Sequence, residues 1–434
     1  MGGLLAGLLL AGEAAGLAAQ FDRNLPVFVA IAMLQGGVWA AAAVMLRRRE
    51  WRPSLALIFV AAALMRVMAL AAPVFLSDDI NRYIWDGRVE AAGINPYRYI
   101  PTDPALASLQ DETIFPNINR NNYAPTIYPP VAQMLFLLMH YIGENVLAVK
   151  LVLVAIEASG IWLLMLLLQT AGAPRERILL YAWHPLPVWE IAGSGHIDAA
   201  VVALVAAALA AATAGRRAWS GAALGAATLV KFFPLVLAPA IWRPTKSNRG
   251  DWRWLAVLIG VIAAAYLPYI GVGWRVLGFL PGYVAEERFG TGGGFWLLDF
   301  ARQLLPVSVT VYLTFVAAIM GGLAIGALCR APRPASSFRW ATILATTALV
   351  FASPHYPWYF IWLVALLTLT SWWPAWWLTL VAVLLYCGAK TGHVPLWVEL
   401  ILYGGFAIFV GIDILWRDFC LSRSGVRNGI DRAI

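Results

Sequence analysis

The stretch SDDINRYIWDGRVEAAGINPYRYIPTDP, residues 77–104, decides how the rest of the chain is read. It follows directly on an apolar run and opens with two adjacent carboxylates, Asp78 and Asp79. Arg82, Tyr83, Trp85, Asp86 and Arg88 come next, and then a Pro- and Tyr-rich loop with Asn95 and Tyr97. The first half has the composition of a helix whose N-terminal acid complements the helix dipole, and Gly93 supplies a stop. So dense a polar cluster at the end of an apolar run reads as the reaction site of an enzyme embedded in a membrane.

The composition around it sets the class. Hydrophobic residues make up 61% of the chain and charged residues 12%, and the mean hydropathy is +0.74. A soluble core so apolar has too few polar atoms to cover its surface. Apolar segments long enough to span hydrocarbon recur along almost the whole length, which predicts an all-α polytopic membrane protein of about 12–14 helices.

The net charge of +8 is distributed as topology rather than as a nucleic-acid surface. Basic residues cluster in short turns: Arg47, Arg48, Arg49 and Arg52; Arg175 and Arg177; Arg216 and Arg217; Arg243, Lys246, Arg249 and Arg253; Arg330, Arg333 and Arg339; Arg417, Arg423 and Arg427. The positive-inside rule places these turns in the cytoplasm. Cys329, Cys387 and Cys420 have neither pairing nor metal-ligand spacing and read as inert.

In chain order, residues 3–19 lack a basic leader and read as an uncleaved first span. Residues 26–46 and 54–76 are the second and third, and the third delivers Ser77 to the outer face. A loop of roughly fifty residues follows to Tyr128, too long for a mere connector. Residues 129–142 are short for a span and read as an interfacial or re-entrant helix, and 146–169 cross back. Three polar or aromatic turns then fall between basic ones. These are HPLPVWEIAGSGHID with His184, Glu190, His196 and Asp198, the Lys231–Pro234 turn, and SPHYPWY with His355, Tyr356 and Trp358. A further outer loop occupies 273–306. The chain is expected to form one transmembrane unit over 1–434, with 77–128 as its catalytic loop and 417–434 as a cytoplasmic tail.

Charge in or beside hydrocarbon is costly, so Asp78, Asp79, His196, Asp198 and Lys231 are expected to line one polar cavity. A carboxylate can serve as base to a hydroxyl, while Lys, Arg or His stabilises a departing phosphate. Trp85, Tyr97, Tyr128 and Trp358 suit sugar faces and interface anchoring equally. Plainer readings stand beside these. The acid pair also suits a helix cap, and Lys231 a snorkelling side chain. His196 with Asp198 also suits a hydrogen-bonded pair or a metal ligand set, and SPHYPWY a structural interfacial turn. Trp372, Trp373, Trp376 and Trp377 read as an interface belt, His140 and His393 as structural, and Arg66 inside the third span has no assignment.

An acidic pair opening the first large outer loop resembles the GT-C superfamily of integral-membrane glycosyltransferases. More narrowly, DDINRYIWDGRV, GINPYRY, TIYPP, SGHID, TLVKFFPLVLAP and SPHYPWY resemble bacterial polyprenyl-phosphate-dependent mannosyltransferases of the glycosyltransferase family 87 type. The resemblance runs in order over most of the chain and is most specific around Asp78–Tyr99. It implies inverting transfer of a sugar, mannose by family default, from a polyprenyl-phosphate donor to a glycan or lipid acceptor. The reaction would take place on the periplasmic or extracellular side of the cytoplasmic membrane. It also implies Asp78 or Asp79 as the base, with a lean to Asp78 while Asp79 pairs with Arg82 or Tyr83. Lys231 and His355 would lie at the donor phosphate. Arg82, Tyr83, Trp85, Asp86, Arg88, Asn95, Tyr97, Tyr128, His196, Asp198, Tyr356 and Trp358 complete the expected substrate site. No metal and no cofactor are expected, and no GxxxxGK[ST] loop offers a nucleotide site. The competing class is a transporter or flippase of lipid-linked saccharides, in which broken helices also surround a polar cavity.

Overall fold

The computed structural model describes residues 1–242, 251–329, 333–388 and 393–423. Of the basic positions named above, Arg243, Lys246, Arg249, Arg330 and Arg427 lie outside the described residues, as do residues 424–434 of the expected tail. The side chains of Arg417, Cys420 and Arg423 do so too.

The apolar runs become helices, and no strand occurs among the described residues. Helix α1 is Gly2–Phe21 and α2 is Leu25–Arg47, the latter capped by Asn24, whose Oδ1 accepts from Val27 N at 3.3 Å. Helix α3, Leu55–Ala69, is capped in the same way by Ser54. Helix α4 is Asp79–Ala91, α5 is Pro130–Ile142, and α6 is Val146–Thr170 with Asn145 as its cap. Seven helical stretches are long and apolar enough to cross a membrane: α1, α2, α6, Trp252–Glu286, Val309–Leu328, Pro334–Ala352 and Leu396–Trp416. Shorter apolar helices, α3 and α5 among them, complete the bundle. Leu34, Val67, Trp162, Ile325 and Ile408 stand exposed on these helices, which hydrocarbon accommodates and water does not. The protein is an all-α polytopic membrane protein.

Three basic turns each lie one helix away from a turn rich in chemistry. Helix α3 runs from the Arg47–Arg52 side towards Asp78. Asp198–Thr213 runs from Asp198 to the Arg216–Arg217 turn, and Arg217–Thr228 returns to Lys231. Pro334–Ala352 runs from Arg333 to the 353–359 turn. Basic residues and site residues therefore segregate to opposite ends of these helices.

Two details depart from the sequence reading, the end of the third span and the place of Trp376. The third span ends at Ala69 rather than near 76, because Pro73 disfavours helix in the residue before it and Lys150 Nζ draws the Ala72 carbonyl into a 2.6 Å bond. Helix α5 packs along α4 so closely that a Cβ at Gly87 would stand 2.4 Å from the Phe136 carbonyl oxygen. Trp376, read as part of an interface belt, is buried against Trp39 at 4.8 Å and His184 at 5.8 Å, because its short helix folds inward.

Arg66 now has a place. Its guanidinium makes two 2.7 Å bonds to the Glu157 carboxylate and a 2.9 Å bond to the Ala182 carbonyl, joining α3, α6 and the 179–182 turn. Removing one partner leaves an uncompensated charge, whereas replacing both with apolar side chains removes the desolvation cost as well. Arg66→Ala is expected to destabilise by about 3–5 kcal/mol, and the double variant Arg66→Met/Glu157→Met by much less. Thermal unfolding of the detergent-purified variants checks this.

Candidate active site

Four stretches distant in sequence converge on the end of the bundle that carries Asp78. The first is the start of α4. Asp78 is exposed at its N-terminus, and Asp79, in the first turn, retains 20% side-chain exposure. The second is a loop residue, Asn119, whose Nδ2 donates to Asp78 Oδ1 at 2.9 Å and to Asp79 Oδ1 at 3.0 Å. A single amide thus ties both acids and leaves Asp79 Oδ2 turned towards His196, 3.8 Å from Nδ1.

The third stretch is Val188–Asp198. A π-helical turn over Val188–Gly193 widens the backbone, and Gly195 (φ +78°) reverses it, so that His196 N donates to Glu190 O at 2.9 Å. This sets the side chains of Glu190 and His196 beside each other, with His196 Nε2 3.5 Å from Glu190 Oε2. Inserted π turns are common where a helix has been reshaped for function. Gly195 is required twice over, since a Cβ there would also meet Ile80 Cδ1 at 2.5 Å, directly behind Asp79.

The fourth is the pair of turns at Lys231 and 353–359. Lys231 Nζ bonds Asp198 Oδ2 at 2.5 Å and lies over the Tyr359 ring at 5.2 Å. Trp358 stacks on His196 at 4.1 Å and Tyr356 stacks on Trp358 at 4.5 Å. Above them, the short helix Leu280–Glu286 forms a roof. Tyr283 and Tyr359 share a 3.0 Å hydroxyl contact, Glu287 pairs with His355 at 2.7 Å, and Glu286 accepts from Arg120 and Tyr123 at 2.7 Å each.

Burial, and then the neighbouring Asp78 carboxylate, raise the Asp79 carboxyl above the ordinary aspartate range, with Lys231, Asn119 and Tyr128 pulling it back in part. Asp79 is therefore a stronger base than a free aspartate, and a partly open one. Among the described residues no three His, Cys, Asp or Glu side chains group as a metal-ligand set.

The structure thus brings together Asp78, Asp79, Tyr128, His196, Asp198, Lys231, His355, Tyr356 and Trp358, with Tyr83 behind Tyr128. It turns other expected substrate residues to scaffolding. Arg82 bonds Asp86 at 2.9 Å and the Ala124 carbonyl at 3.1 Å, not Asp79, and Asp86 also accepts from Gln133 at 3.2 Å. Trp85 is buried beside Phe115 at 5.6 Å. Arg88 pairs with Asp111 and Glu144 away from the acids. Asn95 donates to the Tyr269 carbonyl at 3.0 Å, and Tyr97 donates to the Tyr128 carbonyl at 2.7 Å. Arg82, Trp85, Asp86 and Arg88 share one reason, since successive side chains of α4 point to different sides of a helix packed on several of them, while Asn95 and Tyr97 lie in the loop beyond its end. His196 is fully buried beneath Trp358, so its ring does not reach the open space, and its acid neighbours are Asp79 and Glu190, while Asp198 is taken by Lys231.

Sequence reasoning left Asn119, Arg120, Glu190, Glu287, Tyr359 and Tyr386 out of the expected site. Glu190 and Tyr359 lie within the polar turns singled out above, so their place in those turns was a usable signal. Asn119, in the run NINRNN, offered none. A cavity of about 620 Å³ lies elsewhere, between α3 and α6, lined by Phe59, Val67, Leu70, Ile161 and Trp162 over the Arg66–Glu157 pair.

Residues 1–244 match the model of the alpha-(1->6)-mannopyranosyltransferase family, in its N-terminal domain. The chain belongs to this family. It is a membrane glycosyltransferase of the mannosyltransferase class, in agreement with the GT-C and family 87 resemblance of its motifs. The matched stretch carries Asp78, Asp79, Asn119, Glu190, His196, Asp198 and Lys231, whereas the roof and the 353–359 turn lie beyond it. Comparison with curated proteins and comparison with solved structures each give no match.

Gly195→Val is expected to leave the protein helical and membrane-inserted while displacing Ile80 and with it Asp79. Circular dichroism unchanged from wild type, with transferase activity reduced roughly tenfold or more, is the outcome that checks it.

Proposed function

We propose that the protein transfers mannose, with inversion, from a polyprenyl-phosphate donor to an acceptor hydroxyl on the outer side of the membrane, and that Asp79 is the base. The observation that carries the reading is the geometry of Asp79. One oxygen is held by Asn119, the carboxylate is partly open, and Lys231 and the aromatic turn 355–359 stand across from it. Asp78 is more exposed and sits outside the helix, which suits it to hold Asn119 and to tune its neighbour.

In this reaction the acceptor O–H proton passes to Asp79 as the acceptor oxygen bonds to the anomeric carbon. The bond from that carbon to the phosphate oxygen breaks, and its electron pair stays on the phosphate. An α product formed with inversion requires a β-linked donor. The family's described activity supports a sugar 6-hydroxyl as acceptor. Lys231 has three N–H donors and gives one to Asp198, so two are available for the developing phosphate charge. Arg120 is a second cation near the roof. Segregation of the basic turns to the opposite helix ends supports an outward-facing site, by the positive-inside rule. The roof segment 280–287 lies beyond the family match and is suited to acceptor selection, because it reaches both the 119–123 loop and the 355–359 turn.

Purified protein given mannosyl polyprenyl phosphate and a mannoside acceptor is expected to release polyprenyl phosphate and form an α-mannoside. Movement of the lipid between leaflets without that release would overturn the transferase reading in favour of a flippase. Asp79→Asn is expected to lower kcat by roughly 10³-fold or more with its melting temperature unchanged. Wild-type turnover in that variant would remove the base assignment.

The raised Asp79 carboxyl gives a signed pH prediction. Activity needs the ionised form, so it falls as pH falls through the raised value. Asp78→Asn deletes the neighbouring charge that raises it, so the acid limb of kcat/KM should move to lower pH. If Asp78 were itself the base, that variant would be inactive at every pH.

A further inference from the structure

His196 is an anomaly of this site. The ring is fully buried, and neither nitrogen has a hydrogen-bond partner. Such a group is costly unless its partners are close and become engaged. The two polar groups it faces are both carboxyls, Asp79 Oδ2 at 3.8 Å from Nδ1 and Glu190 Oε2 at 3.5 Å from Nε2. Trp358 covers one face of the ring at 4.1 Å, which holds its plane along the line between the two acids. Glu190 is buried as well, and both its oxygens accept from the Tyr386 hydroxyl at 2.9 Å, which fixes the carboxyl from behind.

The protons on this chain can be counted. A neutral imidazole has one N–H and one lone pair. Asp79, as an ionised base, can only accept, so the matching tautomer has its hydrogen on Nδ1. Nε2 is then a lone pair, and a carboxyl facing it contributes a favourable contact only if it carries its proton. The alternative, an imidazolium between two carboxylates, has the same number of protons and the same single net negative charge. Either way the negative charge is available at Asp79, and one acceptor proton neutralises the chain.

We propose that Glu190 is a positioning residue of the transfer reaction, which donates to His196 Nε2 and so fixes the tautomer that presents Nδ1–H to Asp79 Oδ2. Asp79 is then held from two sides, by Asn119 on Oδ1 and by His196 on Oδ2. For Glu190 to act in this way, the distances of 3.5 and 3.8 Å must shorten to hydrogen bonds in the reacting complex, as contacts of catalytic groups often do on binding substrate. Fixing a histidine tautomer through a buried acid is an effective lever on rate, because the wrong tautomer presents a lone pair where a donor is needed. The inference rests on Asp79 as the base.

Other charged and titratable groups face these three. Asp78, Lys231, Tyr83, Tyr128, Tyr356 and Tyr359 surround Asp79, Lys231 also acts on His196, and Asp198 and Lys231 act on Glu190. The test therefore replaces the two relay groups and leaves the surroundings intact.

Full-length purified protein is assayed for polyprenyl-phosphate release over a range of pH. Glu190→Ala should lose kcat by roughly 10²-fold with KM little changed. Glu190→Gln, whose amide N–H donates to Nε2 as the protonated acid does, should recover kcat to within roughly tenfold of wild type. His196→Phe keeps the stacking on Trp358 but has no ring N–H. It should lose kcat to a similar extent and move the acid limb to higher pH, because ionised Asp79 loses a donor. In the double variant Glu190→Ala/His196→Phe the loss should be no larger than in His196→Phe alone. Glu190→Gln as inactive as Glu190→Ala would overturn the proposal, since a carboxylate rather than a donor would then be required. His196→Phe with wild-type kcat and pH profile would overturn it too, with Asp79→Asn still inactive and the base assignment intact. Activity in Asp79→Asn would instead bring down the parent reading.

Discussion

The pairing of Lys231 with Asp198 is the interaction on which the site depends. The Asp198 carboxylate is fully buried and the Lys231 ammonium largely so, and their pairing at 2.5 Å offsets much of the cost of holding both charges there. The pair ties the start of Asp198–Thr213 to the turn after Arg217–Thr228. It also fixes the region that the polar turn 188–198 must occupy. With Asp198 engaged, His196 faces the other way, towards Asp79 and Glu190.

The same constraint recurs along the molecule and sorts charged residues into two kinds. Arg66 with Glu157 and Arg82 with Asp86 are closed on themselves, with both partners buried and supplementary bonds to carbonyls or amides. These hold helices in register and have no unsatisfied capacity for a ligand. His196 is different, since its ring nitrogens face Asp79 at 3.8 Å and Glu190 at 3.5 Å, beyond hydrogen-bond length, while Asp79 is held by Asn119 and Glu190 by Tyr386. His196 is thus left unsaturated at the proposed site, whereas a group already saturated by the fold cannot respond to a substrate.

The acid pair at 78–79 pointed to this end of the bundle, and the sequence alone did not separate the two acids. What separates the two residues is orientation at a helix start. Asp78 lies just outside the first turn, with its side chain exposed, while Asp79 begins the turn and points inward towards His196. The following residues were overread for a related reason. Arg82, Trp85, Asp86 and Arg88 share a polar segment with the acids, but a helix distributes successive side chains around its axis, and those further along meet α5 and the loop instead. Glu190 was underread because it sits in a turn whose π geometry has no sequence signature.

By itself the sequence determined the class and the address. Apolar runs of membrane length can only become helices, since backbone polar groups must be satisfied without water. Basic turns alternate with chemistry-bearing ones, which fixed the two ends of the bundle. The motifs at 78–99, 126–130, 194–198, 228–239 and 353–359 carried the resemblance to mannosyltransferases. Only the tertiary structure decided which side chains meet. Asn119 reaches the acids across a loop of some forty residues, Tyr386 reaches Glu190 from the far side of the chain, and Trp358 covers His196. Those contacts depend on how helices pack in three dimensions, and nothing in the local sequence of either partner encodes them.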